Sequence, residues 1–322
     1  MFFSDTLHPN MLDFFKKIGY SFSSAFQRGR RPTGGKRMHI PEPVYVRDLF
    51  GGKVTVIVFG APFNWNYAGA SREEMEAKNP GITAVLEEVM RKYEIKRALV
   101  PKPAFNAKVV TAENLPNELL PNFFRGADAD GVILEKSGDA YFLASADCLA
   151  TAIFDPQIDD VAALHSGRNA LVDRAYLDNG DRRTHETVID AACDALDEIA
   201  YNKESLADHR PRQVFLAAGI RPESFDHPIH DEKYGEANQR MIDHLIDMQA
   251  KREYLPPIII DHEAGKIDLF ALARHQLDAQ DITDIREDAF DTATSTDAEG
   301  NFLFHSNRRD KVRRNLVIIK LN

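Results

Sequence analysis

Residues 53–60 read Lys-Val-Thr-Val-Ile-Val-Phe-Gly, a run too short for a stable helix and almost without a polar face. Only a strand covered on both sides suits such a run. Shorter apolar segments follow at 98–100, 108–111, 131–134, 141–145, 151–154, 161–165 and 213–218, and residues 315–321 close the chain. Stretches with helical spacing lie between them. Ile82, Val85, Leu86, Val89, Met90 and Tyr93 share one helical face. Val188, Ile189, Ala192, Leu196 and Ile199, behind a Thr184 cap, share another, and 236–249 and 269–280 read as two more helices. Strands interleaved with helices predict a layered α/β/α single domain over 51–322 rather than a bundle or a sandwich.

Residues 1–50 read as an extension to that domain. Leu12, Phe15, Ile18, Phe22 and Phe26 recur at three- and four-residue steps, as in an amphipathic helix. Arg28, Arg30, Arg31, Lys36 and Arg37 follow among Gly29, Pro32, Gly34 and Gly35, the composition of a basic linker. The extension carries eight Lys/Arg against four Asp/Glu, whereas the whole chain has a net charge of −10. That acidic body argues against nucleic acid as the main partner, because such binding needs a basic face. The extension is expected to serve a protein partner or self-association. No apolar run approaches the roughly 20 residues of a membrane span. Two cysteines, Cys148 and Cys193, exclude a disulfide framework, so a reducing, cytoplasmic setting is expected.

The residues that invite chemistry lie between 129 and 171. An Ala129-Asp130-Gly131 turn, an Ala146-Asp147-Cys148 strand end and a His165-Ser166-Gly167 strand end follow one another there. Two short strands joined by a tight turn can bring Cys148 and His165 together. A thiol and an imidazole that converge can ligate zinc or act as nucleophile and base, with Asp147 or another carboxylate orienting the ring. Cys193 falls on the inward face of a helix and reads as a core residue. Near the carboxyl end, Arg308, Arg309, Arg313 and Arg314 form a basic cluster beside Ser306. Guanidinium forks suit phosphate, and pairing with Asp310 and other acids is the alternative. No G-x-S-x-G elbow, Walker loop or G-x-G-x-x-G helix start is present.

In order and spacing these pieces resemble the YfiH or laccase-domain family over about residues 52–322. The resemblance rests on Asp130-Gly131-Val132, on 143–148 (Leu-Ala-Ser-Ala-Asp-Cys), on Phe154-Asp155-Pro156, and on 161–167 (Val-Ala-Ala-Leu-His-Ser-Gly). The run 304–310 (Phe-His-Ser-Asn-Arg-Arg-Asp), with Arg314 and a closing strand, completes it. It implies an α/β fold and purine nucleoside chemistry: phosphorolysis of adenosine, inosine or guanosine, deamination of adenosine, and cleavage of methylthioadenosine. It also implies a zinc site with His-Cys-His ligands, onto which Cys148 and His165 fall, a catalytic set of Asp147, Cys148 and His165, and phosphate contacts from Ser306, Arg308 and Arg309. Phe105 stands where the family's other His belongs, and Phe has no lone pair for a metal. His227, His230 or His305 could stand in. The His-x-His pairs of multicopper sites are absent. Three readings follow: a purine nucleoside phosphorylase or deaminase, a metal-free Cys–His hydrolase or amidase, and a non-catalytic nucleoside- or protein-binding relative.

Overall fold

Strands in this chain send alternate side chains to opposite faces, and in those at Val54–Phe59, Gly131–Leu134, Asp139–Ser145, Leu149–Asp155, Asp160–Ser166 and Asn315–Leu321 nearly all of them are buried. The computed structural model describes residues 40–181, 183–203 and 211–322, so the apolar stripe at 12–26 and the basic run at 28–37 lie outside the described residues. In chain order the first strands are β1 (Tyr45–Leu49), β2 (Val54–Phe59), β3 (Arg97–Lys102), β4 (Val109–Val110), β5 (Asn117–Leu120) and β6 (Phe123–Asp128). Next come β7 (Gly131–Leu134), β8 (Asp139–Ser145), β9 (Leu149–Asp155), β10 (Asp160–Ser166) and β11 (Gln213–Ala217). The last are β12 (Ile259–Asp261), β13 (Lys266–Ile267), β14 (Asp284–Glu287) and β15 (Asn315–Leu321).

Among the described residues these form a seven-stranded sheet, β1-β2-β15-β8-β3-β6-β5, a six-stranded sheet, β14-β11-β9-β10-β7-β4, and a β12-β13 ribbon. The two large sheets stack. Val54, Val56, Val58, Tyr141, Leu143, Val317 and Ile319 of the first face Ala150, Ala152, Phe154, Val161, Ala163 and Phe215 of the second. The intervening residues point outward to helices. Helix α1 (Arg72–Lys78) and helix α2 (Ile82–Lys92) cover Ile57, Phe59, Phe142, Leu316 and Ile318. Two short helices, α3 (Arg168–Leu171) and α4 (Arg174–Asn179), follow β10. Longer ones, α5 (Val188–Asn202), α6 (Gly235–Ala250) and α7 (Leu269–Asp278), cover Ile153, Ala162, Leu164, Val214 and Leu216. The layered α/β domain is therefore present, with its β layer doubled. A strand apolar on both sides is covered equally well by a helix or by a second sheet, so the sequence pattern did not separate the two arrangements.

Two boundaries move. Residues 45–49, read from sequence as linker, form β1 and pair antiparallel with β2 from Tyr45↔Val58 to Leu49↔Val54. Tyr45 and Leu49 bury their side chains while Asp48 accepts from Thr55 at 2.6 Å, which is the alternation of a true strand. Helix α5 begins behind Thr187 rather than Thr184: the Thr187 hydroxyl accepts from the Asp190 N–H and the Asp190 carboxylate accepts from the Thr187 N–H. No helix among the described residues is long and apolar enough to cross a membrane.

Candidate active site

Strand register assembles the site. In the six-stranded sheet β10 lies between β9 and β7, with His165 opposite Ala150 and Leu164 opposite Gly131. Cys148 precedes β9 and Asp130 precedes β7, so both flank His165. The His165 N–H donates to the Asp130 carbonyl at 2.7 Å, locking that corner. Cys148 and His165 aim at one point. A Cβ placed on Gly167 would lie 2.9 Å from Cys148 Sγ and 3.1 Å from His165 Nε2. On the other side of the ring, His165 Nδ1 lies 3.4 Å from Asp130 Oδ1. The three groups thus run carboxylate, imidazole, sulfur.

Asp130 is fully buried and serves two structures at once. Its carboxylate accepts the N–H groups of Ala104 at 3.2 Å, Phe105 at 3.0 Å, Asn106 at 2.7 Å and Ala107 at 3.0 Å. Burial alone would raise its pKa, but the bond and charge of His165 and the backbone donors hold it below the usual carboxylate range. This cradle forces the 104–107 segment into a tight loop in which Phe105 and Ala107 both have φ near 55°. The Phe105 ring consequently stands edge-on to His165, with centroids 5.4 Å apart. Burial of His165 opposes its charge, yet Cys148 and the Asp130 bond outweigh that and push its pKa up to about 9.

Cys148 is partly exposed at the edge of a cleft of about 830 Å³. Phe105, Arg168, Phe225, Asp226, Arg308 and Lys311 are among its walls. Arg308 reaches Asp226 (Nη1 to Oδ1, 3.2 Å) and lies 5.5 Å from the centre of the Phe225 ring.

The other sequence-selected residues stand around this centre rather than in it. Asp147 does not face His165. Its carboxylate accepts from Thr292 Oγ1 at 2.8 Å, Ser306 Oγ at 3.0 Å and the Asn307 N–H at 2.8 Å, tying together three segments beside the cleft. Ser306 is spent on that contact. Arg309 donates to the carbonyls of Ala293, Thr292 and Phe304 and lies over the Phe302 ring, so it clasps the carboxyl-terminal loop. His227 lines the cleft, His230 is exposed, and His305 Nε2 is engaged by the Phe63 carbonyl at 3.0 Å. Asp130 was visible in sequence as a turn residue and as part of the family resemblance, not as a site residue. Its role beside His165 depends on the β7–β10 register, which no local pattern encodes.

A zinc ion of the expected kind needs three protein donors on one point. Here Cys148 and His165 supply two, the Phe105 ring stands beside His165, and no group of three His, Cys, Asp or Glu among the described residues is arranged to hold a metal. These side chains do not fit that ion.

A doubled-sheet α/β domain with a thiol–imidazole pair at adjoining strand ends is the class of protein that fold and site define. The chain belongs to the family described as multi-copper polyphenol oxidoreductase laccase, whose model matches residues 82–322. Similar folds occur in the Neisseria meningitidis protein NMB0706 of family DUF152, at 17% identity and a TM-score of 0.53 over 84% of this chain and 95% of that one. Bacillus licheniformis hypothetical protein YfiH gives 14% and 0.55 over 84% and 93%. YlmD from Geobacillus stearothermophilus gives 18% and 0.55 over 84% and 91%. No curated protein matches the chain. At these identities the structural likeness is one of fold.

Proposed function

We propose that this protein is an enzyme of purine nucleoside chemistry that cleaves the N-glycosidic bond with phosphate, using Cys148 and His165 as its proton-handling pair. The observation that carries this reading is the Asp130–His165–Cys148 alignment, which ends with its sulfur on a polar cleft of about 830 Å³. That volume is ample for a nucleoside and phosphate together. Arg308 and Lys311 offer positive charge to phosphate, Phe225 offers a ring to the base, and Asp226, Asp231 and Asn238 offer acceptors and a donor to sugar hydroxyls. As the C1′–N bond breaks and a phosphate oxygen bonds to C1′, the leaving base needs a proton. The pair holds one between Sγ and Nε2, and His165, kept charged by its partners, supplies it through the cleft-facing sulfur. The proton that phosphate loses on becoming an ester restores the pair.

A second reading is favoured by one observation, a phenyl ring, that of Phe105, beside His165 in place of a third metal donor. Without a metal the same alignment is a nucleophile, base and orienting carboxylate, suited to displacing an amine or alcohol from an acyl or amidine carbon. Adenosine, inosine, guanosine and methylthioadenosine, each with and without phosphate, test both readings when base release and ammonia are followed. Phosphate-dependent base release that survives chelator and disappears in Cys148→Ser is the expected result. Phosphate-independent release of ammonia, with a covalent adduct at Cys148, would transfer support to the second reading. Turnover unchanged in Cys148→Ser, or none with any substrate, would overturn the first.

A further inference from the structure

A smaller pocket of about 190 Å³ lies apart from the Cys148 cleft and shares no lining residue with it. Two cations line it: Arg125 from β6, and Arg314, which precedes β15. Asn66, Tyr67, Pro103 and Ala144 are among the other walls, and no acidic residue is. Arg125 is held in place by donating Nη1 to the carbonyls of Tyr67 at 3.2 Å and Gly69 at 2.8 Å. Arg314 donates to the neighbouring Arg313 carbonyl at 2.8 Å. Neither guanidinium makes an ion pair with a carboxylate among the described residues. Several other half-buried arginines in this acidic chain are matched: Arg97 with Asp139 at 2.6 Å, Arg212 with Asp155 at 2.9 Å, Arg252 with Asp278 at 2.8 Å and Arg274 with Glu287 at 2.9 Å.

Two half-buried cations that line one concavity repel each other, and among the described residues they lack the counter-charge that would offset their burial. Guanidinium forks bind oxyanions with two parallel hydrogen bonds each, and a pair of forks suits a group with three or four oxygens. The pocket is smaller than the several hundred Å³ that a drug-sized ligand occupies. We infer that Arg125 and Arg314 form a second binding site for a small oxyanion of phosphate size, distinct from the phosphate contact proposed for Arg308. Free phosphate and the phosphate or carboxylate of a small metabolite share the recognising chemistry.

Calorimetric titration of the full chain with inorganic phosphate at fixed ionic strength tests this site, using Arg314→Gln, Arg125→Gln and Arg308→Gln. A saturable event that Arg308→Gln keeps is expected in the wild type, and Arg314→Gln weakens that event at least about tenfold, about 1.4 kcal/mol, while leaving any binding that depends on Arg308. Arg314→Gln carries the test because, among the described residues, its guanidinium bonds only a neighbouring carbonyl, whereas Arg125→Gln also releases two carbonyls of the 67–69 loop. Acetate that binds with the same dependence on Arg314 would support the site and point to a carboxylate as its ligand. No saturable heat in the wild type would overturn the inference, as would binding that Arg308→Gln wholly removes and Arg314→Gln keeps. Nucleoside turnover is read separately, so failure here leaves the reading of the Cys148 cleft standing, and the converse holds.

Discussion

At the residue scale, His165 makes the site sensitive to pH. An ordinary histidine titrates near 6.5, whereas burial of His165 is outweighed by Cys148 and Asp130 and its folded pKa rises to about 9. The folded state therefore binds the proton more tightly than the unfolded chain. The stability from this site is whole below about pH 6.5 and is lost as pH rises through 9. Urea unfolding of wild type and His165→Asn at pH 6, 7.5 and 9.5 should show an advantage that shrinks with rising pH. A constant difference would refute the charged pair. Gly167 is the residue whose size decides whether sulfur and imidazole can meet. Gly167→Ala puts a methyl within 2.9 Å of Cys148 Sγ, so turnover should fall about tenfold to hundredfold while circular dichroism stays unchanged. Phe105→His places a nitrogen where the ring edge now faces His165. Plasma mass spectrometry should then find near-stoichiometric zinc, removed again by Cys148→Ser.

At the scale of elements, the loop at 104–107 and the strand pair β7–β10 are joined through one carboxylate. Asp130 collects four loop N–H groups and faces His165, so Asp130→Ala strands buried donors as well as the imidazole. Leaving buried donors unsatisfied costs about 1–3 kcal/mol each where water cannot reach them, and a loop partly open to solvent recovers some of that. A net loss of about 2–4 kcal/mol in urea is expected. Activity should fall further than stability explains, because Phe105 and His165 lose their common anchor. Much of the element pattern was legible. The segments at 131–134 and 315–321 match β7 and β15 end to end, since their apolar residues are bounded by turn residues. Strands β5 and β6 were missed because exposed and polar residues such as Glu118, Arg125 and Asp128 break their pattern. Asp128 at the end of β6 pairs with Lys102 at 3.3 Å, a contact made only once the strands lie side by side.

For the whole molecule, the stacked sheets are the framework on which the strand ends converge. Ile319 lies between the sheets and is 1% exposed, so Ile319→Ala should cost about 2–5 kcal/mol, with an unchanged urea m-value. A smaller loss would mean that the sheets close over the gap. The sequence by itself determined that the chain has a large apolar core, that strands alternate with helices, and that one thiol and one imidazole stand at successive strand ends. Those properties follow from local composition and periodicity, which act over a few residues. Only the tertiary structure decided that the β layer is double, that β1 joins it, that Asp130 rather than Asp147 faces His165, and that Arg125 and Arg314, 189 residues apart in the chain, line one pocket. Each of these depends on pairing register and sheet stacking, where the favourable energy comes from burying surfaces far apart in sequence against each other.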